Sequence, residues 1–80
     1  MDVIQLINEL DKMQVPQSFY SINSNLKTDA YILNYVYGQW EYFYFDEKGN
    51  RLEEKIFSNE EEAAEFFLKK IQNEIKYMKH

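Results

Sequence analysis

Apolar residues at Val3, Leu6, Ile7, Leu10 and Met13 recur at the spacing of one helix face, which predicts an amphipathic N-terminal helix. Asp2 is placed to cap it. Pro16 disfavours helical geometry at Val15, so the helix should end near Met13. The pattern then changes. SFYSIN is short and favours extended backbone, SNLKTD is a polar link, and AYILNYVY and WEYFYFD are rich in aromatic and β-branched residues. Only Gly38 and Gln39 separate the last two, and glycine in the first place of a two-residue loop predicts a type II′ hairpin. DEKGN reads as a type I turn with Gly49 left-handed, leading into a further strand, RLEEKIF. Ser58 with Glu61 has the spacing of a capping box. Ala64, Phe67, Leu68, Ile71, Ile75 and Met78 then form the stripe of a long helix. Acids fill its first turns and Lys69, Lys70, Lys76 and Lys79 its later ones, as the helix dipole favours, so the run Glu60 to Glu62 reads as helix chemistry. The expected fold is α+β: an antiparallel three- to four-stranded sheet flanked by an N-terminal and a long C-terminal helix, in a single domain over residues 1–80.

The two turns propose a register. A loop at 38–39 pairs Tyr37 with Trp40, Tyr35 with Tyr42 and Leu33 with Tyr44; the second turn pairs Tyr44 with Leu52, Tyr42 with Glu54 and Trp40 with Ile56. One face then carries Leu33, Tyr35, Tyr37, Trp40, Tyr42, Tyr44, Leu52 and Ile56, with Glu54 its single charge. The other carries Ile32, Asn34, Val36, Glu41, Phe43, Phe45, Arg51, Glu53 and Lys55. Burying an unpaired charge costs several kcal/mol, and the second face would bury four. The first face is therefore the expected core. Phe43 and Phe45 fall among charges, either under a helix that makes the sheet a middle layer or on an open face with an apolar centre and a charged rim.

Eighty residues give a thin margin of stability, which seven Tyr, six Phe and one Trp offset with aromatic bulk. The absence of cysteine excludes disulfides and a thiolate nucleophile or ligand. The only histidine is His80, so neither a Ser-His triad nor a histidine zinc site is expected. DEKGN lacks the acid spacing of a calcium loop, and no cofactor is expected. MDVIQLINEL has acids where a signal peptide is basic, and no apolar run is long enough to span a membrane, so a cytoplasmic protein without membrane contact is expected. Net charge is −5, and from Glu41 to Glu65 nine acids face three bases. Nucleic acid binding requires a basic footprint, so a basic protein partner, or simple solubility, fits the charge better.

VPQSFYSIN, DAYIL, WEYFYFDEKG and IFSNEEEAAEFF together resemble the small bacterial immunity proteins of polymorphic and contact-dependent growth inhibition toxin systems. The matching positions are Val15, Pro16, Tyr20, Ser21, Asp29, Tyr31, Leu33, Trp40, Tyr44, Glu47, Gly49, Phe57, Glu60 and Ala63, spread over residues 15–68. Lys48 stands where the family pattern has Arg, and the interval from Trp40 to Gly49 is one residue longer. The resemblance implies a non-enzymatic inhibitor that binds one toxin domain, commonly a nuclease, whose phosphate-holding surface is basic.

Joining the two readings, the expected partner-binding residues are Glu41, Phe43, Phe45, Asp46, Glu47 and Glu53, with the two phenylalanines as anchors within an acidic rim. The alternative is a small adaptor or structural domain that homodimerises through its apolar sheet face. A small-ligand site or enzyme built on the aromatic face is the third.

Overall fold

The computed structural model describes residues 1–78; Lys79 and His80 lie outside the described residues, as do the side chains of Tyr77 and Met78. Helix α1 spans Val3–Lys12, strands β1 to β4 span Tyr20–Ile22, Ala30–Val36, Gln39–Phe45 and Arg51–Phe57, and helix α2 spans Glu60–Met78. The sheet order is β1-β2-β3-β4, antiparallel from β2 to β4, with β1 joined to β2 in parallel. This is the expected α+β arrangement, a helix at each end of the chain and the sheet between.

The helix ends follow from their capping groups. Asp2 and Gln5 form a reciprocal capping box on α1. At α2 the cap is Asn59 rather than Ser58: its Oδ1 accepts from the Glu62 N–H at 2.8 Å, and its amide donates to the Glu62 carboxylate at 3.0 Å. The N-cap therefore falls one residue later than the Ser58–Glu61 spacing suggests, and Glu62 returns to the Asn59 side chain rather than to its backbone N–H, so the expected reciprocal capping box is not what caps α2. Glu60, the first residue of α2, also accepts a hydrogen bond from the Val3 N–H at 2.7 Å, so one helix start satisfies an orphan donor of the other.

Both helices pack on one face of the sheet. Leu6 and Leu10 of α1 and Ala63, Ala64, Phe67 and Ile71 of α2 share a core with Leu33, Trp40 and Tyr42. The aromatic face chosen from the sequence is thus the helix-covered face. Its details differ at two points. The β2–β3 loop is Tyr37-Gly38, not Gly38-Gln39, so Tyr35 pairs with Trp40, Leu33 with Tyr42 and Tyr31 with Tyr44. Both loop residues have positive φ, 51° and 79°, the signature of a type I′ turn rather than type II′. Each partner moves by two positions, and a shift of two keeps every side chain on its face.

The second difference reverses faces. Tyr44 pairs with Leu52 as expected, but a bulge follows, with Glu53 left-handed at φ 58°, and Tyr42 then pairs with Lys55, Glu41 with Ile56 and Trp40 with Phe57. One extra residue flips the rest of β4. Phe57 turns inward onto Phe66, ring centroids 5.2 Å apart, while Ile56 turns outward and is 53% exposed. Leu52, Tyr35 and Tyr37, all assigned to the core, are likewise exposed, because they lie on an edge strand or at the hairpin tip beyond the helices.

Among the described residues, no helix covers the outer face. Ser21 lies between two residues packed on the helix side, so it points outward, and its hydroxyl donates to the Asn25 carbonyl at 2.8 Å. The link between β1 and β2 therefore passes over the outer face. There Ala30, Ile32 and Phe43 form a second small core with Phe45 beside it. Phe43 is only 1% exposed: the Arg51 guanidinium lies 4.3 Å from its ring centroid and Phe45 meets it edge-on.

Two outcomes follow. Phe43→Ala should lower the unfolding free energy in urea by about 3–5 kcal/mol, as for other buried phenylalanines. Tyr37→Asn, which relieves a left-handed tyrosine and creates the favoured Asn-Gly turn, should raise it by about 1 kcal/mol.

Candidate functional site

The bulge and the Asp46 turn determine where charge collects. Asp46 is tied down by the turn: its Oδ1 accepts from the backbone of Asn50 at 2.7 Å and of Lys48 at 2.9 Å, and its Oδ2 accepts from the Asn50 amide. The Asn50 N–H, first among these donors, holds the Asp46 carboxyl below its usual value. Glu47, beside it, is exposed.

The six residues singled out from the sequence do not form one surface. Glu41, Phe43 and Phe45 sit on the outer face. Phe43 is buried, which corrects its assignment as an exposed anchor: Arg51 covers its ring while pairing with Glu41 at 3.7 Å. Phe45 is half-buried against it. Glu53 was assigned to this same face, but the bulge carries it to the helix side, where Lys70 of α2 bridges it at 3.0 Å and Glu74 at 3.6 Å.

What the structure does bring together is centred on Tyr44. Tyr31 and Tyr44 are cross-strand partners with ring centroids 4.9 Å apart, inclined at 59°. On one side of this pair lies a cleft of about 230 Å³ walled by Leu52, Glu53 and Glu74. On the other lies a hollow of about 120 Å³ bounded by Phe19 and Asp29. Burial raises the Tyr44 phenol above its usual pKa, and Asp29, Asp46, Glu47 and Glu74 raise it further, which puts four carboxylates within electrostatic reach of one ring. Tyr31 is raised by burial and then by Glu74, and Tyr42 by burial and then by Glu53, Tyr31 and Glu74. The Tyr42 hydroxyl, like Asn34 Oδ1, is buried without a hydrogen-bond partner among the described residues. Lys70 is held above its usual pKa, chiefly by its hydrogen bond to Glu53, and is the cation among these acids.

Asp29 and Tyr31 entered the sequence analysis only as positions of the family resemblance and Glu74 not at all; none of the three was placed in the binding site. The register that pairs Tyr31 with Tyr44 depends on where the two-residue loop falls. Glu74 is one acid among many on a helix, and only its i,i+4 relation to Lys70 marks it.

A larger, wider hollow of about 670 Å³ lies between the two helix starts and is also acidic, with Asp2, Glu60, Glu61, Glu62 and Glu65 around it. Asp2, Glu60 and Glu62 there already cap backbone or bond Asn59, so structural demands account for them. Among the described residues, no three His, Cys, Asp or Glu side chains stand together in a way that could hold a metal ion. No helix among them is long and apolar enough to cross a membrane. Comparison with protein-family models, with curated proteins and with solved structures found no match to this chain.

The tyrosine environment is directly measurable. Tyr20, Tyr31, Tyr42 and Tyr44 have folded-state pKa values above the ordinary 10.0. Their neutral forms therefore contribute stability that is fully present below pH 10.0 and is lost as pH rises through the raised values. Phenolate absorbance of the native protein should show these tyrosines ionising late, together with alkaline unfolding. Glu74→Gln should let Tyr31 ionise at lower pH.

Proposed function

We propose that this chain is a cytoplasmic immunity protein that neutralises a basic toxin domain by binding it through the acidic end of the sheet. The observation that carries the reading is the collection of Asp29, Asp46, Glu47, Glu53 and Glu74 around the Tyr31–Tyr44 pair, of which Lys70 pairs with Glu53 and Glu74. A nuclease or other phosphate-handling domain presents the opposite sign, and complementary charge speeds encounter and selects the partner. Tyrosines flanked by carboxylates supply contact area at low entropic cost. The resemblance of residues 15–68 to bacterial immunity proteins supports the same reading.

Inhibition here needs no turnover. The phenols stay neutral, and Lys70 engages both carboxylates of the cleft. A homodimer through the outer face finds less support, because the apolar centre of that face, Ala30, Ile32 and Phe43, is already covered within the monomer. Strand β4 is an exposed edge, but its bulge and the charges of Arg51, Glu53, Glu54 and Lys55 are devices that discourage edge pairing.

The test is co-expression with the product of the adjacent upstream gene. The chain should co-purify with that protein and protect cells from it. Double reversal at Asp29→Lys and Glu47→Lys should weaken binding by roughly a hundredfold at low salt, two lost charge contacts at about 1.4 kcal/mol per tenfold. Glu9→Lys with Glu65→Lys, away from the cleft, should change it little. Absence of both co-purification and protection would reject the reading.

A further inference from the structure

The geometry points to the 230 Å³ cleft between Tyr31, Tyr44, Leu52, Glu53 and Glu74 as a socket for one arginine side chain of the protein partner. This rests on the reading of the chain as a binder of a basic protein, and it names the group that enters.

Size is the first argument. Pockets that hold drug-sized ligands occupy roughly 300–1,000 Å³. This cleft is smaller, about the room of seven or eight waters at roughly 30 Å³ each, and suits a single side chain. Its walls decide the chemistry. Two carboxylates exclude an anion, and two tyrosine rings inclined at 59° offer π faces that attract a cation. A guanidinium is planar, stacks on an aromatic face and meets a carboxylate with two parallel N–H bonds, whereas an ammonium is a strongly hydrated point charge.

The existing polar contacts leave a guest its place. Lys70 engages Glu53 Oε1 at 3.0 Å and Glu74 Oε1 at 3.6 Å, so one cation serves two carboxylates. Asp29, Asp46 and Glu47 add negative potential at the Tyr44 end.

The probe is N-acetyl-arginine amide, titrated into the full chain at low salt while the ring resonances of Tyr31 and Tyr44 are followed by NMR. Lysine amide and citrulline amide, the uncharged analogue, serve as comparisons. Saturable shifts confined to Tyr31, Tyr44 and the flanking amides are expected, about tenfold weaker for lysine and absent for citrulline. Glu74→Gln and, separately, Glu53→Gln should each weaken arginine at least about fivefold, with the remaining amide spectrum unchanged. Shifts that are absent, that spread evenly over the acidic surface, or that are equal for lysine would overturn the socket. That result leaves the toxin-binding reading to its own test, since loss of partner binding on reversal of Asp29 and Glu47 does not depend on it. Arginine binding without any protection from the upstream product would leave the socket standing and reject that reading instead.

Discussion

Tyr42 stands under α2 with the rings of Phe66 and Phe67 edge-on to it, at 4.9 and 6.0 Å, and the rest of the molecule is arranged around that contact. The three rings lock the long helix across the middle of β3. Phe57 extends the stack through Phe66, and Tyr20 extends it through Phe67, so both flanks of the sheet are tied to one helix. Edge-to-face pairs of this kind add about 0.5–1.5 kcal/mol each beyond the area they bury, a substantial share for a chain of 80 residues. The same packing sets a cost. With its ring held under the helix, the Tyr42 hydroxyl is shut off from water and meets no partner. The stack that makes the core also leaves this unmet polar group within electrostatic reach of Glu53 and Glu74.

The bulge at Glu53 connects this core to the acidic end. Were β4 regular, Glu53 would lie on the outer face beside Glu41, and Ile56 rather than Phe57 would face the helices. One inserted residue exchanges them. Phe57 joins the aromatic stack, Glu53 reaches Lys70, and the Tyr31–Tyr44 pair gains a carboxylate wall. A left-handed glutamate is strained, and the ion pair with Lys70 and the burial of Phe57 are what hold it there.

How much of this was legible in the sequence depended on parity. The choice of helix-covered face survived a wrong loop position, because moving the turn by one residue shifts each partner by two and leaves the faces unchanged. It failed along β4 beyond Leu52, because a bulge shifts by one, and nothing in RLEEKIF marks Glu53 as left-handed. Glycine or asparagine there would have been a signal. Phe43 was misjudged for a different reason. Counting charges on a face treats each as an object to be buried, whereas Arg51 shields the ring with its own guanidinium and keeps its charge paired with Glu41. The parallel β1 could not be read either, since a seven-residue link that crosses a sheet face carries no periodicity. The acidic turn was legible, and Asp46 and Glu47 do lie at the Tyr44 end. Its partners Tyr31, Asp29 and Glu74 come from three other segments that only the fold brings together.

The distribution of charge supplies the last step. Carboxylates gathered at one end of a small domain repel one another, and that repulsion opposes folding. At the helix starts the cost is offset locally, because Asp2, Glu60 and Glu62 bond to the backbone or to Asn59. At the Tyr44 end, among the described residues, only Asp46 gains backbone hydrogen bonds, and Lys70 is divided between Glu53 and Glu74. Exposed ion pairs are worth at most about 1 kcal/mol, so this end is the less compensated of the two. A cation from outside would relieve repulsion as well as form its own contacts. An acidic end that is costly alone and relieved by a basic partner is what binding of that partner requires, since a ligand stabilises only what it contacts better in the complex than the free protein manages by itself.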